Sequence, residues 1–131
     1  MRIFITGDSR GLGQSLCEKL SLEHQVVGAS RSSKNYDKWQ HVQLDLNNPV
    51  ISEDIGKILS ETDVLIHNAA IASSNLIVTE TNENLQSVFD VNFITPYILT
   101  KEWLKSRLAK KQPGHVILFQ NQLRWKWVKR E

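Results

Sequence analysis

The sequence holds one cysteine, one methionine and three prolines in 131 residues. It has no apolar run long enough to approach a membrane span. With Cys17 alone, an internal disulfide and a cysteine-based zinc site are both excluded. Placed on the apolar face of a helix, Cys17 is expected to be a small core residue. The opening MRIFITGDSR is too short in its apolar run for a signal peptide, so a reducing cytoplasm is the expected location. A strong charge of either sign is missing as well: 16 Lys and Arg against 14 Asp and Glu leave +2, too little to imply a nucleic-acid or membrane partner by itself. His24, His41, His67 and His115 are scattered without metal-ligand spacing, and no metal is expected. No low-complexity segment, repeat or linker is present. What remains, 40% hydrophobic and 23% charged, suits one globular domain around a single core.

Strand and helix patterns alternate along the chain. Arg2 to Thr6 reads as a buried strand, and a helix starts at Gly11 with Leu12, Leu16 and Leu20 on one face. Strands are expected at Gln25 to Ala29, at His41 to Leu46 and at Asp63 to His67, with a helix over Ser52 to Ser60 between the last two. A long helix should run from about Asn82 to Lys110, kinked at Pro96. Pro113-Gly114 breaks the chain before a fifth strand that begins as buried-strand sequence, His115-Val116-Ile117-Leu118-Phe119. Such alternation implies parallel strands joined by right-handed crossovers, and hence an α/β, doubly wound, Rossmann-like sheet ending after about the fifth strand.

The stretch ITGDSRGLGQSL joins the first strand to the first helix. Gly7, Gly11 and Gly13 lack Cβ atoms, so the backbone can turn sharply and approach a pyrophosphate. The following helix offers that anion its free N–H groups and the positive end of its dipole. The spacing is G-x-x-x-G-x-G, not the G-x-G-x-x-G of the general dinucleotide fingerprint. After the second strand an Asp or Glu would accept from the ribose 2′-hydroxyl of the unphosphorylated cofactor. Ala29-Ser30-Arg31-Ser32 stands there instead. Arg31 with the Ser30 and Ser32 hydroxyls would hold a 2′-phosphate, and Arg10 could reach it from the glycine loop, so NADP(H) is expected in preference to NAD(H).

These residues, taken together, resemble the short-chain dehydrogenase/reductase family. The resemblance rests on Thr6-Gly7-Asp8-Ser9-Arg10-Gly11-Leu12-Gly13, Asp45-Leu46, Asn68-Ala69-Ala70 and Phe89-Asp90-Val91-Asn92, in the family's order, and covers about residues 1 to 119. It implies that Asp45 bonds the adenine amino group, that Asn68-Ala69-Ala70 line the adenine and ribose side, and that Asn92 belongs to a catalytic tetrad. Cofactor contacts are expected from Thr6, Gly7, Ser9, Arg10, Gly11, Leu12, Gly13, Ser30, Arg31, Asp45, Leu46, Asn68, Ala69 and Ala70. The family also places a Ser past the fifth strand and a Tyr-x-x-x-Lys on the next helix.

Past Phe119 this sequence has neither Ser nor Tyr. Tyr97 and Lys101 match Y-x-x-x-K by spacing but lie before the fifth strand, where Tyr97 should pack and Lys101 should be solvated. His67 is expected to be a satisfied core residue and Trp103 a packing residue. The expectation is therefore a cofactor domain over residues 1–119, truncated before the catalytic Ser and Tyr and inactive alone, followed by a basic-aromatic tail over residues 120–131. Relatives commonly pair through the long helix, which implies a homo-oligomer through residues 82–110. Two alternatives stand beside this reading: a non-catalytic dimerisation protein, and a nucleic-acid binder acting through Arg124, Trp125, Lys126 and Trp127.

Overall fold

The structure, a computed structural model, describes residues 1–119. Strands β1 (Arg2–Thr6), β2 (Gln25–Ser30), β3 (Gln40–Gln43), β4 (Val64–His67) and β5 (His115–Leu118) form one parallel sheet in the order β3-β2-β1-β4-β5. Central β1 pairs with β2 from Arg2↔Gln25 to Thr6↔Ala29, and with β4 from Ile3↔Val64 to Thr6↔His67. Strands covered on both faces read as continuous apolar runs, and RIFIT and VLIH do so.

Alternation along β1 sends Phe4 to one face and Ile3 and Ile5 to the other. On the first face, Phe4, Val27 and Leu65 meet Ile55, Ile58 and Leu59 of α2 (Glu53–Glu61) and Leu99 and Trp103 of α4 (Thr95–Lys110). On the second, Ile3, Ile5, Val26 and Ile66 pack on Cys17 of α1 (Gly11–Leu20), with Trp39 closing the layer. Cys17 is thus the core residue the sequence implies; burial first, then the Asp8 charge, pushes its thiol up to about 12. The apolar face of α1 is rotated from expectation: Gly13 and Cys17 are buried, whereas Leu12 faces outward.

Local chemistry sets the helix ends. Ser52 accepts from the Ile55 N–H at 3.3 Å and Thr81 from the Asn84 N–H at 3.1 Å, capping α2 and α3 (Asn82–Phe89). The long helix expected over residues 82–110 is unbroken but not uniform, its backbone staying helical through both junctions. A π turn over Asp90–Ile94 separates α3 from α4, and Pro96 falls in the first turn of α4 rather than at a kink within it. Proline has no N–H and its ring crowds the carbonyl four residues back, here Asn92, so a widened turn relieves both conflicts.

Both edges of the sheet differ from the sequence reading. Strand β3 stops at Gln43, although Leu44 and Leu46 remain buried and the Leu44 N–H still donates to the Ser30 carbonyl at 2.8 Å. Strand β5 pairs with β4, yet all four of its residues are exposed. It is an edge strand, and no described element covers it. The C-terminal tail and its proposed nucleic-acid contacts lie outside the described residues. Among the described residues, no helix is long and apolar enough to cross a membrane.

Candidate functional site

The chain order reverses between β1 and β4, and the glycine-rich turn leaves β1 at that point, where open α/β sheets bind ligands. The turn is sewn to both neighbouring strands. The Gly7 N–H donates to the Ala29 carbonyl at 2.7 Å. Thr6 Oγ1 accepts the N–H groups of Asn68 and Ala69, each at 3.2 Å, and Asn68 Nδ2 donates to the carbonyls of Thr6 (3.2 Å) and Gly7 (3.3 Å). The Thr6 hydroxyl and the Asn68 amide therefore clamp the ends of β1 and β4 together.

Two glycines have distinct tasks in the turn. A Cβ on Gly13 would lie 1.9 Å from the Gly7 carbonyl oxygen, so only glycine lets α1 pack this closely beneath the turn. Gly11 has φ +59° and nothing within 4 Å of a Cβ built on it, which leaves the backbone at the start of α1 open to a ligand. Unlike α2 and α3, α1 has no side-chain cap, and its first turn carries no acid. Its free N–H groups and positive dipole end fit a pyrophosphate. Ser9 is half-buried beside them and Arg10 is exposed.

At the end of β2, Ser30 is buried and its Oγ has no hydrogen-bond partner, while Arg31 is exposed and Ser32 half-buried. Gln43 Nε2 donates to the Arg31 carbonyl at 3.1 Å. Asp45 is exposed, and its Oδ1 accepts from the Asn47 N–H at 3.0 Å; Leu46 is buried, and its carbonyl accepts from Thr95 Oγ1 at 2.5 Å. Ala69 and Ala70 are half-buried next to the clamp.

Asn92 stands in the π turn. Its Oδ1 accepts from the Ile71 N–H at 2.9 Å, and its Nδ2 donates to the Ile71 carbonyl at 2.7 Å. Both ends of the amide are thus used to fix the loop after β4 against the helix. Further along this loop, Ser73 and Asn84 hold the Glu80 carboxyl down at about 2, and Asn75 adds a third hydrogen bond. His67 is a core residue, as expected, but only half satisfied: its Nε2 bonds to Thr100 Oγ1 at 2.8 Å while its buried Nδ1 has no hydrogen-bond partner among the described residues, and burial lowers its pKa to about 4. Trp103 is buried and its Nε1–H donates to the Thr62 carbonyl at 2.9 Å. Lys101 is exposed, but Tyr97 is 62% exposed, so the expected packing of Tyr97 does not hold within one chain.

A buried polar cluster behind the turn carries no sequence signal. Asp8 is fully buried, and its Oδ2 accepts from Trp39 Nε1 at 3.0 Å and lies 2.6 Å from His41 Nδ1. His41 Nε2 lies 2.7 Å from the Ser32 carbonyl. Tyr36 stacks on Trp39 at 4.2 Å between ring centres. A shallow hollow lined by Met1, Arg2, His24, Gln25, Glu61 and Asp63 opens at the opposite, amino end of the strands, away from the glycine turn.

Known proteins give this geometry a context. A family profile described as short chain dehydrogenase matches residues 1–121. The 3-oxoacyl-(acyl-carrier-protein) reductase FabG of Buchnera aphidicola subsp. Schizaphis graminum is 30% identical over 126 residues, covering 86% of this chain and 51% of that protein. The FabG of Haemophilus influenzae is 28% identical, with 86% and 52% covered. The chain thus spans about half the length of the curated relatives it matches. Among solved structures, 4-hydroxyisoleucine dehydrogenase complexed with NADH superposes with a TM-score of 0.77 at 25% identity, covering 89% of this chain and 54% of that one. A short chain dehydrogenase/reductase family oxidoreductase from Brucella ovis, in complex with a partially ordered NAD, gives 0.70 at 27%, with 88% and 60% covered. The parallel sheet, the glycine turn at its switch point and the profile match over residues 1–121 place this chain in the short chain dehydrogenase family.

Proposed function

We propose that these residues bind a nicotinamide dinucleotide, with NADP(H) preferred over NAD(H), as the cofactor part of an oxidoreductase. The observation that carries the preference is the end of β2, where an exposed Arg31 stands at the position an acid would need in order to accept from a ribose 2′-hydroxyl. A guanidinium attracts a 2′-phosphate that a carboxylate would repel. In this reading the start of α1, with Gly11 and Leu12, holds the pyrophosphate, while Arg10, Arg31 and the hydroxyls of Ser30 and Ser32 surround the 2′-phosphate. Asp45, Leu46, Asn68, Ala69 and Ala70 line the adenosine side. When bound, the cofactor supplies or accepts hydride at its nicotinamide ring. Asn92 supports the loop on that side through Ile71. Replacing Arg31 with Asp tests the assignment, because it swaps attraction for repulsion at one atom group. We expect R31D to weaken NADPH binding roughly ten- to a hundredfold, the range of one to two charge-assisted hydrogen bonds, and to leave NADH binding equal or improved. An unchanged NADPH affinity contradicts the assignment.

Self-association belongs to the same reading. Leu85, Phe89, Phe93, Tyr97, Leu104 and Leu108 of α3, the π turn and α4 are all exposed and large. Apolar surface of this kind supports pairing of two copies through this helical segment.

A further inference from the structure

Asp8 and His41 are joined in a way that fixes how many protons they hold. The Ser32 carbonyl accepts and cannot donate, so the 2.7 Å contact requires a proton on His41 Nε2. The 2.6 Å contact between His41 Nδ1 and Asp8 Oδ2 requires a second proton between those two atoms. An ionised Asp8 beside a doubly protonated His41 satisfies both bonds, and so does a protonated Asp8 beside a neutral one. In either arrangement the pair carries no net charge. Neutrality fits the surroundings, because the side chains of Asp8 and His41 are 0% and 4% exposed. The third partner, Trp39 Nε1–H, donates to the same Oδ2 and is itself covered by Tyr36. Room for the carboxylate comes from Gly28 on β2, where a Cβ would lie 2.1 Å from Asp8 Oδ2.

The cluster links two parts of the cofactor site that are distant in sequence. Asp8 belongs to the glycine turn, and Ser32 belongs to the arm after β2 that begins with Arg31. We propose that Asp8 and His41 share one proton as a neutral buried pair and tether the Arg31–Ser33 arm to the glycine turn, which makes both positioning residues for the adenosine end of the dinucleotide. The last step rests on the cofactor reading given above; the tether itself does not.

Asp8→Asn probes this with little change of shape. An amide oxygen in place of Oδ2 accepts from Trp39 and from His41 Nδ1–H, but a neutral imidazole then has a bare Nε2 facing the Ser32 carbonyl. An amide nitrogen there confronts the Trp39 N–H. One of the three hydrogen bonds must therefore be lost. The experiment uses the full 131-residue chain, labelled with 15N and assigned with the help of His41→Gln. At pH 7 the wild-type ring is expected to show a protonated Nε2 and a strongly hydrogen-bonded proton at Nδ1. An unprotonated Nε2, or ring protons that exchange freely with water, would overturn the tether whether or not D8N folds. NADPH and NADH affinities of D8N are measured alongside. A loss of about tenfold for NADPH, with NADH changed by less than about threefold, is expected for a displaced arm, since a tenfold change corresponds to about one hydrogen bond to a charged group. Equal losses for both, or none, would make the pair a packing feature and refute the positioning role. A wild type that binds both cofactors equally refutes the Arg31 assignment, and the tether then stands or falls on the ring-nitrogen spectrum.

Discussion

Gly13 concentrates the demands of the site into one missing methyl group. Its Cβ position is occupied by the Gly7 carbonyl oxygen at 1.9 Å and by Asn68 Nδ2 at 2.4 Å, both held by the clamp between β1 and β4. Gly13→Ala should therefore push α1 off the turn, costing about 1–3 kcal/mol of stability and abolishing dinucleotide binding in a thermal-shift titration. Retention of wild-type affinity would show that α1 can shift away from the turn without disturbing the dinucleotide site. His67 predicts a pH effect. Its folded value of about 4 lies below its ordinary 6.5, so the unfolded chain takes up the proton first. The contribution of His67 is complete above about 6.5 and is lost as pH falls toward 4, amounting to roughly 3–4 kcal/mol. His67→Gln should flatten the fall in urea midpoint over that window, whatever its effect at neutral pH. The glycine turn is legible in the sequence because its three glycines lie within seven residues, between a strand and a helix. The Asp8 cluster is not, because Trp39 and His41 are 31 and 33 residues away and meet Asp8 only once β2 and β3 have paired.

Among the elements, α4 shows most clearly what sequence patterns reveal and what they leave hidden. Its apolar face is readable from Leu99 and Trp103. The π turn before it is not, since Pro96 marks a disturbance without saying whether the helix kinks or widens. The C-terminus of α4 closes with the Lys111 N–H donating to the Leu108 carbonyl at 3.2 Å and the Gln112 N–H to the Arg107 carbonyl at 3.1 Å. Lys111 takes the left-handed conformation at φ 53°, where glycine is favoured. Lys111→Gly should raise stability by about 0.5–1 kcal/mol, read from the urea midpoint at constant slope; a loss of that size would contradict the cap. Arg107 anchors the same helix to the start of β4. Its buried guanidinium donates to the Thr62 carbonyl, to Asp63 Oδ1 at 2.9 Å and to Gln112 Oε1 at 3.2 Å. The backbone N–H of Arg2 and the Arg107 guanidinium together lower the Asp63 carboxyl.

For the whole molecule, the alternation of elements and the parallel pairing follow from the sequence, while the order β3-β2-β1-β4-β5 is seen only in the folded sheet, and the exposure of β5 and of the α3–α4 face depends on what lies against them. Exposed Phe89, Phe93, Tyr97 and Leu108 lead us to expect a dimer or larger assembly by light scattering at micromolar concentration, and a Phe93→Glu variant shifted toward monomer. A monodisperse wild-type monomer would contradict pairing through this face. The 131 residues alone should show no NADPH consumption with aldehydes, ketones or quinones. They supply Asn92 but no Ser or Tyr after β5, and a positioned general acid is worth roughly 10²–10⁴-fold. Turnover that disappears in Tyr97→Phe would instead make Tyr97 the acid. In the proposed function, the glycine turn and the Arg31 arm together select a phosphorylated dinucleotide. Calorimetric titration of the wild-type chain with NADPH and with NADH, at one ionic strength, tests it most directly. Both are expected to bind, NADPH at least about tenfold more tightly, one charge-assisted contact's worth. Equal or tighter binding of NADH, or no binding of either, would contradict it.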